Sequence, residues 1–236
     1  NDGSDNYENK GASGFCQTNL GTIAGQCATR AEVVGLSRNA FAAGFVVNNY
    51  GTIRGDAQSL IRAEGSVTAN VKSAAGFVVF NTGTVDYGTY TGEKVAAAAN
   101  GKAAGFVVDN GTEKKISGQI LHSVAGGVKP LMITGDTDCG GFAVNNRGTI
   151  DASQTEGIQI VNNSGDGHAA GFVCYNQKGA VVSRSTAQGE INKKISGEKG
   201  TAGFAASNAG EVNNQCSASV SIVTKGLAAG FVGTNE

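Results

Sequence analysis

Short apolar runs alternate with polar turns rich in glycine and asparagine along the whole chain, and the alternation is periodic. The clearest run reads Ala43-Gly44-Phe45-Val46-Val47-Asn48-Asn49-Tyr50-Gly51-Thr52-Ile53, and versions of it occur eight times. Gly-Phe pairs place Phe15, Phe45, Phe77, Phe106, Phe142, Phe172, Phe204 and Phe231 at intervals of 27 to 36 residues. Four residues beyond each stands an asparagine: Asn19, Asn49, Asn81, Asn110, Asn146, Asn176, Asn208 and Asn235. A fixed period of this length marks a solenoid, a propeller or an array.

Each unit predicts two or three strands. The run after Gly-Phe has four or five apolar residues between Gly and Asn, too few for a helix. The Asn-x-Gly that follows is turn chemistry, because both residues tolerate positive φ. A second strand holds Ile23, Ile53, Val85, Ile150, Val181 and Val212, some eight residues beyond the phenylalanine. A third alternates small polar and apolar residues, as in Ser66-Val67-Thr68-Ala69-Asn70-Val71 and Ser217-Ala218-Ser219-Val220-Ser221-Ile222. Helical signal is confined to Val95 to Ala99, closely bracketed by Gly92 and Gly101. A propeller blade needs four strands and about 40–50 residues. A unit of about 31 residues instead predicts an all-β parallel β-solenoid (β-helix) of about seven or eight coils over 13–236, after a polar segment at 1–12. Right-handed winding follows from the usual crossover preference. The longest interval contains Lys129-Pro130 and Thr134-Gly135-Asp136-Thr137-Asp138, which predicts a loop bulging from one coil.

Stacked coils repeat at about 4.8 Å. The phenylalanines then form one internal column and the asparagines a hydrogen-bonded ladder at a corner, both of them scaffold. The column just after the phenylalanine is Cys16, Val46, Val78, Val107, Ala143, Val173, Ala205 and Val232. Neighbouring strand residues face opposite ways. One apolar column is therefore expected outside unless the strand bends there, and Val46, Val78, Val107, Val173 and Val232 form the candidate interface.

Composition narrows the classes of function. Lys plus Arg is 18 against 19 for Asp plus Glu, a net charge of −1. That lacks the footprint of a nucleic-acid or anionic-membrane binder, and no apolar stretch approaches a membrane span. The chain has 37 glycines without a three-residue period, which excludes collagen. It begins at Asn1 and stops mid-repeat, without the polar cap that usually closes a solenoid. The expectation is a processed secreted product whose open ends continue into a longer solenoid or stack on another chain. Five cysteines, Cys16, Cys27, Cys139, Cys174 and Cys216, have no metal or redox spacing and read as buried apolar fillers. Cys27 and Cys216 share a column, but in stacked copies they would sit two rungs apart, beyond disulfide reach. Asn110-Gly111-Thr112 and Asn162-Asn163-Ser164 are glycosylation triplets, the first discounted because Asn110 belongs to the ladder.

Candidate chemistry is thin. His122 and His168 occupy unrelated positions, read as solvent-exposed loops, and complete no catalytic triad. Gly135-Asp136-Thr137-Asp138 and Gly165-Asp166-Gly167 resemble calcium loops, but the acids do not recur by repeat. Asp86 and Asp151 share a column two coils apart, too little for a glycosidase pair. Thr22, Thr52, Thr84 and Thr149 form a column of the kind that orders ice, broken at Ala180 and Glu211. Tyr7, Tyr50, Tyr87, Tyr90 and Tyr175 form no column for a glycan. No catalytic, cofactor or metal residue is assigned.

The segment from Gly226 to Asn235, with Gly210-Glu211-Val212-Asn213-Asn214-Gln215-Cys216-Ser217-Ala218 before it, closely resembles the GLUG repeat. Gly21-Thr22-Ile23 through Gln26-Cys27-Ala28-Thr29 resembles it again, Cys27 and Cys216 both standing twelve residues after their phenylalanine. The middle copies carry Phe for the family's Leu. The resemblance implies a β-solenoid in a bacterial surface or secreted protein, adhesins included, and no activity. The functional expectation is a non-enzymatic extracellular structural protein: a self-associating subunit of a filament, or an adhesin stalk. A glycan-binding adhesin domain is the alternative, and an ice-binding solenoid a third.

Overall fold

The computed structural model describes residues 11–37, 40–98, 100–113, 117–163, 166–193 and 199–236. These form a parallel β-solenoid of about seven turns, with no helix among the described residues. Residues 1–10 of the polar segment lie outside the described residues. Gly11 and Ala12, assigned to that segment from the sequence, already belong to the first strand, Gly11–Ser13.

Each of the first seven coils contributes to four parallel sheets, and the eighth to the first two. The first holds the short strand before each Gly-Phe, such as Ala74–Ala75. The second holds the strand after it, such as Val78–Asn81, and the third follows the asparagine, as in Thr84–Asp86. The fourth closes the coil. In the first three coils it is made of paired short strands such as Gly88–Tyr90 and Lys94–Ala97. From the fourth coil these fuse into single strands, Val124–Gly135 first. The Ala-rich run is strand through Ala97, because its inward Val95 and Ala97 continue the fourth sheet's core column, and Ala99 lies outside the described residues.

The interior is filled by columns of residues of similar size, with phenylalanine repeated in every coil. Phenylalanine occupies the centre, flanked by Ala74 and its equivalents from the first sheet, Ile53, Val85, Ile120 and Ile150 from the third, and Ile133, Ile160 and Ile191 from the fourth. Their common inward register comes from in-phase stacking, Ile53 pairing with Val85, Val85 with Ile120 and Ile120 with Ile150. In the sixth coil Val182 takes this place and Val181 faces outward, a shift of one from the sequence expectation. The cause is a longer turn, in which Gly179 adopts φ 79°.

The expected loop around Lys129-Pro130 is part of the twelve-residue strand Val124–Gly135. Pairing with the next coil shifts between Gly126 and Leu131, and this bulge leaves Lys129 and Pro130 exposed. A bulge tolerates a proline that has no N–H to give a ladder. Further extra length falls between Gly111 and Gly118, since Ile120 occupies the inward place fourteen residues after Phe106 while its partner Ile150 stands eight after Phe142.

Candidate functional site

The repeated residues form two internal ladders. Phe15, Phe45, Phe77, Phe106, Phe142, Phe172, Phe204 and Phe231 stack in coil order, with centroids 4.6–4.9 Å apart and ring planes within 18° of parallel. The strand spacing imposes that distance. The asparagine Nδ2 of each coil donates to the Oδ1 of the next: Asn19 to Asn49 at 2.8 Å, then through Asn81, Asn110, Asn146 and Asn176 to Asn208, which donates to Asn235 at 2.7 Å. Asn49 and Gly51 do not adopt positive φ. The glycine is required there because a Cβ on Gly51 would meet the Gly21 carbonyl oxygen at 2.0 Å.

The expected outer valine stripe is not formed. Val46, Val78, Val107 and Val173 are fully buried, and Val232 packs half-buried against the same core. The reason lies in the backbone. The N–H groups of Phe45 and Val46 both donate to the single carbonyl of Phe77, each at 3.0 Å. The same sharing recurs in Phe77 and Val78 onto Phe106, and in Phe172 and Val173 onto Phe204. Two residues thus face one acceptor, as in a β-bulge. Alternation slips by one, and phenylalanine and the residue after it both point inward.

The same slip bends the wall inward and creates a notch outside the main core. Residues two before and two after the phenylalanine, among them Ala75, Val79, Ala104, Val108, Ala170 and Cys174, bury one another there in a second apolar cluster. Two further columns form its walls: the residues four before the phenylalanine and those three after it. Phe41 meets Phe80 edge-to-face across the notch at 4.9 Å, and His168 meets Tyr175 likewise at 4.9 Å. Asp138 ties this wall together. One carboxylate oxygen accepts from the Tyr175 hydroxyl and the His168 backbone N–H, both at 3.0 Å, and the other lies 3.6 Å from Lys102 Nζ.

In the seventh coil the two wall positions are Gly200 and Ser207, the smallest pair in the notch. A cavity of about 600 Å³ opens there, bordered by His168, Tyr175, Lys199, Ser207, Thr234 and Glu236 over a floor that includes Ala206 and Ala229. His168 Nδ1 lies 3.1 Å from the Gly200 carbonyl, so that nitrogen carries the hydrogen and Nε2 is left as an acceptor. Burial pushes the His168 pKa below its ordinary value, against the Gly200 bond and the Asp138 charge. Burial and Asp138 raise that of Tyr175, keeping the phenol protonated. Lys193, also buried, donates to the carbonyls of Gly167 at 2.8 Å and Lys199 at 2.5 Å and so anchors one rim.

His168 is thus a buried wall residue, 8% exposed, where the sequence suggested a solvent-facing loop; the notch accounts for the difference. His122 sits on the surface, bonded to Asp86 at 2.9 Å and stacked on Tyr87. Asp86 and Asp151 do not meet: Leu121 separates them in the third sheet, and Asp151 binds Ser183 and Arg184. Asp138, from the calcium-like segment, is committed to the notch, and among the described residues no group of three acids, cysteines or histidines could hold a metal. The threonine column is broken between Thr84 and Thr149 by Gln119. All five cysteines are free thiols. Burial pushes Cys139 up to about 12 and Cys174 well above its ordinary value, so neither is a ready nucleophile. Asn110 and Asn162 are fully buried and unavailable to glycosylation. Among the described residues no helix is long and apolar enough to cross a membrane. No protein-family model, curated protein or solved structure matches this chain.

The sequence reading missed His168, Tyr175 and Asp138. Their signal was present as two wall columns, visible only once the inward slip at phenylalanine is known.

Proposed function

We propose that the chain is a non-enzymatic structural protein acting outside the cell, a β-solenoid that self-associates as a filament or fibre subunit or as an adhesin stalk. The directional asparagine ladder carries this reading. Every coil accepts on one side and donates on the other, so a coil of a second copy can stack on the same terms as a coil of the same chain. The outermost rings, Phe15 and Phe231, are 47% and 37% exposed and offer matching stacking faces. Filament growth through such heterologous contacts follows when the repeat does not close on itself. The GLUG resemblance supports the surface setting.

Sedimentation and negative-stain electron microscopy of the purified chain test the proposal. Concentration-dependent rods are expected, and Phe231→Asp should abolish them while leaving the circular dichroism of the monomer unchanged. Monodisperse monomers at high concentration would sink it.

A further inference from the structure

The notch is filled from the second to the sixth coil and opens at the seventh; at the first coil its walls are the small Gly11 and Thr18. Reading its two walls along the solenoid gives Phe41 and Asn48, Ser73 and Phe80, Lys102 and Asp109, Asp138 and Asn145, and His168 and Tyr175, each bringing at least one large or charged side chain. Gly200 and Ser207 bring neither, and the 600 Å³ cavity lies at that gap. Its volume falls within the range of small-ligand pockets, roughly 300–1,000 Å³.

The lining selects the chemistry. Tyr175 and Ser207 are paired in register, so Tyr175 has only a small neighbour on the cavity side. Around that ring stand the His168 imidazole, hydroxyl residues Ser207 and Thr234, and side chains of opposite charge at Lys199 and Glu236. Such an interleaved set of donors and acceptors beside an aromatic ring, with side chains of both charge signs, suits a polyhydroxylated ligand. A purely apolar guest would leave these groups unpaired on desolvation. In the seventh coil Thr201–Ala202 and Ala205–Asn208 are hydrogen-bonded to coils on both sides and offer an extended peptide no edge; the free edges belong to Ala228–Ala229 and Val232–Asn235 of the eighth coil. The wall is also preorganised, Asp138 holding both Tyr175 and the His168 backbone, which lowers the cost of ordering on binding.

We infer that the gap in the notch between the sixth and eighth coils is a binding site for a short, uncharged saccharide. The site borders the asparagine ladder at Asn176 and takes in Thr234 and Glu236 of the eighth coil, so it is tested on the monomer.

The full chain, kept at concentrations where it is monomeric, is screened on a printed array of neutral, sialylated and sulfated glycans. The strongest neutral glycan is then titrated by calorimetry. A neutral glycan is expected to bind with a millimolar or tighter Kd. Ser207→Phe, which fills the gap as Phe80 fills it elsewhere, should abolish binding without lowering the thermal midpoint. Tyr175→Ala should weaken binding at least tenfold, and Lys199→Gln by less than threefold. The assignment is overturned if no neutral glycan binds, if binding survives Ser207→Phe, or if only acidic glycans bind and Lys199→Gln removes them.

Discussion

Asn146 shows how much one repeated side chain carries. It accepts from Asn110 Nδ2 and donates to Asn176 Oδ1, both at 2.9 Å, accepts from the Gly148 N–H and donates to the Val181 carbonyl, all while fully buried. Water cannot replace these partners. Leaving a buried polar group unpaired costs about 1–3 kcal/mol, and truncation orphans a partner on each side. Asn146→Ala should therefore lose about 2–4 kcal/mol in urea unfolding. An unchanged midpoint would show that the ladder is incidental. The asparagine column was legible in the sequence because a polar residue kept at one offset in every coil needs a reason, and stacking supplies one. His168 and Tyr175 were not legible, since each occurs once and gains meaning only from the residue across the notch.

At the scale of the strand, the Gly-Phe pair is a backbone device as much as a packing one. A Cβ on Gly105 would lie 2.0 Å from the Gly141 carbonyl oxygen, and the same collision recurs at Gly44, Gly76, Gly141, Gly171 and Gly203. The glycine lets successive coils approach at the point where the wall bends inward. Gly105→Ala should destabilise the fold by about 3 kcal/mol or more, the upper range for overpacking. Gly21→Ala, where a Cβ meets nothing within 4 Å, should be nearly neutral. Equal thermal midpoints for the two variants would refute this account. The period-two rule located the strands correctly and failed at the phenylalanine, where a shared carbonyl on the next coil overrides local alternation.

The whole molecule is a rod about 35 Å long over seven rungs, and its acid response should follow two groups. His168 faces Asp138, Lys193 and Lys199, and its folded pKa lies below the ordinary 6.5. As pH falls through 6.5 the unfolded chain takes up a proton that the folded chain refuses, so stability declines. Asp151 is held at about 2 against an ordinary 3.8, chiefly by its bond to Arg184. That contribution is present above 3.8 and is lost as pH falls towards 2. Thermal midpoints should fall in both windows. His168→Gln should flatten the first and Asp151→Asn the second, and a wild-type midpoint that does not change between pH 7 and 5 would contradict the first.

The sequence by itself determined the period, the solenoid and the membership of both ladders, because a coil that stacks on its own copy must repeat whatever it buries. It could not decide which way the valine column faces, since that depends on a hydrogen bond to a carbonyl some thirty residues away. Tertiary structure turned those valines inward, folded the wall into a notch and brought Gly200 opposite Ser207. The notch opens between the sixth and eighth coils because two small side chains meet there, a coincidence of register that no local pattern encodes.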